Sequence, residues 1–257
     1  MIHKTPPAAI GFPEEGRPMV LFIPKKAIHA GALAAALILL AAAAPHPSPQ
    51  VPAAASAAPS RPQTMLVLDA GHGAPDGGVV GTNTGVLESD LNLKMVKILQ
   101  NYLENAGVKV VLTRKNKYAL SGGAKGFKKE DFKLRKEIIE SVNPDAVISI
   151  HMNFYKAQPS RRGAQVFYDA KNPYSLPFAA TLMQKINTEI NKKYGGREYA
   201  ALSGDFYIIN STSAPIVECG FLSNAEDEKL LVGDEYKKEF CYHLFSGVMQ
   251  YLYTGAR

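Results

Sequence analysis

Apolar positions in this chain follow two rhythms once it passes residue 64. Met65-Leu-Val-Leu68 is an unbroken apolar run that stops at Asp69-Ala-Gly-His-Gly73. A run of that length ending in a glycine-bearing loop predicts a strand buried on both faces. Leu91, Met95, Ile98, Leu99, Tyr102, Leu103 and Ala106 then recur at helical spacing, with Gly107 where a C-cap is expected. Val108 to Leu112 predicts a second strand, which completes a right-handed βαβ unit. The same alternation continues. A helix is predicted over 131–142, with Phe132, Arg135, Ile138 and Ile139 marking its turns and Asn143-Pro144 stopping it. Strands are predicted over 146–150, 164–168, 206–209 and 215–218, and helices over 175–193 and 235–253. Pro177 suits the first turn of its helix. The expected fold is a single three-layer α/β domain, with a mostly parallel twisted sheet covered by helices on both faces. In such folds ligand chemistry sits at the carboxyl ends of the strands.

The first 63 residues follow neither rhythm. Lys25-Lys26 precede an apolar run over 27–44, broken only by His29 and Gly31. At about 1.5 Å per residue it would reach roughly 27 Å, close to a hydrocarbon core of about 30 Å. Positive charge before an apolar run is the layout of an export signal or a signal anchor. Length fits both, while Pro45 directly after Ala42 and Ala44 makes a poor cleavage junction and favours an uncleaved anchor. Residues 45–63 are nearly all Pro, Ala and Ser, a composition that makes a semi-extended tether. The expected organisation is therefore 1–26 as a cytoplasmic or signal n-region and 27–44 as the apolar h-region or membrane anchor. Residues 45–63 are the linker and 64–257 the catalytic domain, working outside the cytoplasm.

Composition narrows the partners. The net charge of +6 includes +3 from the first 64 residues, so the folded part is too dilute in charge for a nucleic-acid footprint. No nucleic-acid partner is expected. Cys219 and Cys241, the only cysteines, exclude a disulfide framework and a cysteine-built zinc site. They read as small buried hydrophobes, with one bridge between them as the alternative.

The domain holds three histidines. His72 and His151 each follow a predicted buried strand, and adjacent parallel strands would bring both imidazoles to one rim. His243 sits mid-helix among apolar neighbours in Cys241-Tyr-His-Leu-Phe245 and reads as a core histidine. Carboxylate candidates are Asp69, Asp76, Glu88 and Glu218. Two histidines and one glutamate can hold a catalytic zinc and leave one position open. Glu88 follows a glycine-rich loop that could fold it over His72, yet it equally suits a helix N-terminus as an acid favoured by the macrodipole. Glu218 closes an apolar strand, where a charge needs a reason to be buried. Spacing leaves open which glutamate binds metal and which acts as base.

Several segments together resemble the zinc amidases of the Amidase_3 family, which cleave N-acetylmuramoyl-L-alanine bonds. They are Val67-Leu-Asp-Ala-Gly-His-Gly73, Gly85-Val-Leu-Glu88 with Asn92-Leu93, Leu112-Thr-Arg114 and Leu134-Arg135. Ser149-Ile-His-Met-Asn153, Gly163-Ala-Gln-Val-Phe-Tyr168 and Pro215-Ile-Val-Glu-Cys-Gly-Phe-Leu-Ser-Asn224 complete the set. The short layout is similar to the sporulation-type amidases of spore cortex maturation. The resemblance implies His72, Glu88 and His151 as Zn2+ ligands and Glu218 as the catalytic glutamate. Glu218 would take a proton from the attacking water and deliver it to the departing alanine nitrogen. Asp69 is a candidate for orienting a ligand histidine. The implied partner is peptidoglycan, a glycan strand with its stem peptide, with room for an activating protein partner. Membrane contact would come through the amino-terminal segment if it is uncleaved. The stretch Lys115 to Glu130, with Ser121-Gly-Gly and several lysines, departs from the family pattern.

Overall fold

The computed structural model describes residues 63–123, 126–172, 175–204 and 213–254. The predicted leader, nearly all of the linker and the strand predicted over 206–209 lie outside them. Among the described residues no helix is long and apolar enough to cross a membrane.

Six strands form one sheet: β1 (Met65–Ala70), β2 (Lys109–Leu112), β3 (Ala146–Asn153), β4 (Gln165–Asp169), β5 (Leu202–Gly204) and β6 (Ile216–Phe221). Their order across the sheet is β2-β1-β3-β6-β4-β5. The first four in that order run parallel, β4 pairs antiparallel with β6, and β5 runs parallel to β4. The sheet is therefore mostly parallel, as expected, with its reversed pair at one edge. The helices are α1 (Glu88–Asn105), α2 (Phe127–Val142), α3 (Ser175–Ile186), α4 (Ala225–Val232) and α5 (Asp234–Thr254). A π-helical turn, Asn187–Asn191, extends α3.

Period-two alternation divides each central strand between two unequal cores. Leu66, Leu68 and Ala70 of β1, Ile148, Ile150 and Met152 of β3, and Val217 and Cys219 of β6 face α1, α3 and α5 in the large one. Among the described residues the other face is covered by α2, where Ile139 packs on Val67, Val147 and Ile216. One short helix cannot cover a six-stranded face, and its uncovered end becomes the site.

The short elements β5 and α4 are absent from the sequence pattern, and α2 begins at Phe127, four residues before its predicted start. The helix after the glycine-rich loop begins at Glu88, three residues before the first apolar marker. The short helix α4 has little amphipathic signal of its own. Its start is fixed by Asn224, whose side-chain oxygen accepts from the backbone N–H groups of Glu226 and Asp227 at 3.1 Å each. Cys219 and Cys241 are both free and buried.

Candidate metal centre

Strand register places the polar residues. Asp69 of β1 lies opposite Ser149 of β3, Ser149 opposite Ile216 of β6, and His151 opposite Glu218. Side chains in register on neighbouring strands share a face. Toward the carboxyl ends this face therefore changes from Val67, Val147 and Ile216 to Asp69, Ser149, His151 and Glu218. There α2 no longer covers it, and a cavity of about 370 Å3 opens, lined by those four polar residues, His72 and the side chains of Phe127 and Phe132.

His72 stands two residues past β1 at φ 61, a left-handed conformation uncommon for a non-glycine residue. Two buried arginines hold it. Arg114 donates from Nε to the Ala70 carbonyl at 2.8 Å and from Nη2 to the Gly71 carbonyl at 2.9 Å. Arg135 donates from Nη1 to the Ala70 carbonyl at 2.7 Å and from Nη2 to the His72 carbonyl. Gly71 must lack a side chain, since a Cβ there would occupy the imidazole of His151. Gly78 likewise leaves room for the Glu88 carboxylate.

Glu88 reaches the rim from the start of α1. Its Oε1 lies 3.2 Å from Nε2 of His72 and 3.0 Å from Nδ1 of His151, and also accepts the Met152 N–H at 3.1 Å. Its Oε2 accepts the Val79 N–H at 2.9 Å, which confirms the fold-back of the glycine-rich loop. The two imidazoles meet edge to face, with centroids 5.1 Å apart. One ligand atom from each of His72, Glu88 and His151 lies within 4.8 Å of the other two, close enough to hold one metal ion. Two imidazoles and a carboxylate form a set that zinc accepts, with a position left open. Asp76 accepts from Nδ1–H of His72 at 2.9 Å and fixes that ring with Nε2 turned to Glu88. Burial works against the charge on Glu88, but His151 and His72 outweigh it and hold the carboxyl well below its usual range.

Glu218 is different. Its Oε2 is buried without a hydrogen-bond partner, as is Nε2 of Gln165, its register partner on β4. Burial pushes the Glu218 carboxyl up to about 7; His151 and His72 oppose that rise and Glu88 adds to it. An acid beside a metal-binding rim and titrating near neutrality can move a proton.

The structure thus brings together all four residues expected at the rim and leaves His243 out. His243 lies on α5, 3.9 Å from Glu239. Asp69, buried on β1, is not the acid that orients a histidine. It accepts from Arg135 Nη1 at 2.7 Å, Thr113 Oγ1 at 2.6 Å and Ser149 Oγ at 2.6 Å, and the histidine-orienting acid is Asp76. A further positioning acid, Glu228, carries no mark of that role in its local sequence. Fully buried on α4, it accepts from the backbone and side chains of Asn83 and Thr84 and pins the loop that delivers Glu88.

Fold and rim together define an α/β domain able to hold one divalent ion beside an unpaired acid, an arrangement suited to hydrolysis. The chain belongs to the Amidase_3 family, N-acetylmuramoyl-L-alanine amidase, whose sequence profile matches residues 66–250. It is similar to a germination-specific N-acetylmuramoyl-L-alanine amidase of Bacillus subtilis, 31% identical over 73% of this chain and 79% of that protein. Among solved structures it is similar to the CwlD amidase from Clostridioides difficile in complex with the GerS lipoprotein. That match has a TM-score of 0.70 and 28% identity over 75% of this chain and all of the other. It also matches the N-acetylmuramoyl-L-alanine amidase AmiC2 of Nostoc punctiforme, with a TM-score of 0.63 and 28% identity over 74% and 97% of the two chains. The activity class that this membership carries is N-acetylmuramoyl-L-alanine amidase activity on peptidoglycan.

Proposed function

We propose that this chain is a zinc-dependent hydrolase of the amide between N-acetylmuramic acid and L-alanine, with His72, Glu88 and His151 as the zinc ligands and Glu218 as the catalytic acid and base. The observation that carries the reading is the convergence of both imidazoles on one oxygen of Glu88, with Glu218 in register beside His151. Zinc held there would supply Lewis acidity for amide hydrolysis at neutral pH. Glu218, raised toward neutrality, takes a proton from the water that attacks the lactyl carbonyl and hands it to the departing L-alanine nitrogen. Asp76 keeps His72 in one tautomer and orientation, and the arginine clamps hold its backbone in place.

The setting we propose is extracytoplasmic, with 27–44 as export signal or anchor and 45–63 as the tether to a catalytic domain over 64–257. A role in spore cortex maturation is supported by the germination-specific relative. The neighbour solved with a lipoprotein supports an accessory protein partner for this chain as well. The test is digestion of purified peptidoglycan with and without a chelator, followed by mass analysis of the products. Free stem peptides and peptide-less glycan strands, lost on chelation and restored by zinc, are expected. Cleavage inside the stem peptide would identify a peptidase instead, and intact binding without products a non-cutting wall module.

A further inference from the structure

The segment that departs from the family pattern, Lys115 to Glu130, ends in the first turn of α2, and that turn forms the open wall of the rim cavity. Phe127, Lys128 and Phe132 line it. Phe132 is 46% exposed although it is a large apolar side chain on a helix that has a core to face. Lys128 is the sole lysine among the described lining residues. The neighbouring Lys133 turns away to Glu130 and Glu137 at 3.8 and 3.6 Å.

Lys128 is not committed where it stands. Its Nζ lies 3.2 Å from Asp76 Oδ1, with the lysine side chain 61% exposed. Asp76 does not depend on it, because the same carboxylate meets His72 Nδ1 at 2.9 Å and the Gly78 N–H at 3.2 Å. An exposed ion pair of this kind holds little energy and exchanges partners readily. An ammonium has three donors, and the contact to Asp76 uses one. Arg135, the other cation on the cavity wall, spends its donors on Asp69, Asp131 and the carbonyls of Ala70 and His72. Among the described lining residues, Lys128 is thus the cation with donors to offer an anionic ligand.

We propose that Lys128 determines substrate specificity by binding the free α-carboxylate of the γ-linked glutamate, the second residue of the stem peptide. The inference rests on the amidase reading above. Two short contacts in series across one carboxylate separate the Lys128 ammonium from the His72 ring, which sets it less than about 10 Å from the rim. The glutamate carboxylate follows the scissile nitrogen by the length of one alanine plus its own Cα, about 7 Å in extended chain. The second span falls within the first. Phe127 and Phe132 then flank the peptide between these fixed ends with apolar surface.

The test compares two synthetic substrates, an N-acetylmuramoyl stem peptide with the α-carboxylate free and its twin with that group converted to a carboxamide. Wild-type protein is expected to prefer the carboxylate about fivefold in kcat/KM, carried mainly by KM, the upper end for an exposed ion pair. Lys128→Gln should bring the ratio to about one, Lys128→Arg should keep it, and Lys128→Glu should invert it. A purely structural role through Asp76 and His72 would lower both substrates alike, so an unchanged ratio in Lys128→Gln overturns the proposal. A wild-type ratio of one also overturns it. If wild-type protein cuts neither substrate, the amidase reading falls and takes this inference with it.

Discussion

Asp69 and Glu218 are carboxylates on the same face of the same sheet, one strand apart across β3, yet they have opposite surroundings. Asp69 is saturated: Arg135, Ser149 and Thr113 all donate to it, and although burial opposes its charge these partners lower it to about 2. Glu218 keeps an unpartnered buried oxygen and rises to about 7. Asp69 belongs to a network that fixes backbone, because the arginine it anchors also holds the carbonyls of Ala70 and His72. Glu218 is left unsatisfied beside the rim, a local cost of the kind that accompanies chemistry. The contrast shows how one face can serve both purposes. Rigid placement comes from the polar level below, and reactivity from the acid that level does not reach.

Replacing residues on either side of this contrast should give separable losses. The largest is expected at the rim itself. His72→Ala removes one of the three proposed metal donors and should cost on the order of a thousandfold or more in turnover together with bound zinc. Full zinc content in that variant, measured by elemental analysis, would show that the ion sits elsewhere. Next comes Asp69→Ala, which takes from the buried Arg135 one of its two carboxylate partners and leaves the Thr113 and Ser149 hydroxyls without their acceptor. Breaking a buried pair costs about 3–5 kcal/mol, or roughly 10 °C in melting temperature for a domain of this size. A melt within 2 °C of wild type would remove Asp69 from the network.

A smaller effect separates the two acids by pH. Glu218 has a folded pKa above its unfolded value, so its contribution to stability is fully present below about 4.5 and is lost as pH rises through about 7. In the metal-free protein that loss is at most about 3 kcal/mol between pH 4 and 8. Glu218→Gln should remove this decline and so stabilise metal-free protein at pH 8 while changing little at pH 4. Parallel denaturation curves for variant and wild type at both pH values would mean the acid is paired after all.

Much of this arrangement is legible in the chain. The runs ending at Ala70 and Ile150 are strongly apolar, and parallel pairing of β1 with β3 makes their trailing histidines neighbours. Other parts depend on distant residues meeting. Leu112-Thr-Arg114 and Leu134-Arg135 are visible as motifs, but nothing in their local sequence says that both guanidinium groups converge on carbonyls 70 to 72. Hydrophobic spacing likewise does not encode strand direction, so the reversal of β4 is unmarked. The role of Glu228 follows from a turn, Asn83-Thr84, that lies more than 140 residues away. Which glutamate faces both imidazoles is also a tertiary fact: the glycine-rich loop brings Glu88 there through Val79, and strand register brings Glu218.

The most direct test of the account is the turnover of zinc-loaded Glu218→Gln on purified peptidoglycan, with metal content determined on the same sample. One zinc per chain with release of stem peptides reduced about a thousandfold is the predicted result, since the ligands remain and the proton carrier is gone. Stem-peptide release at the wild-type rate would contradict it.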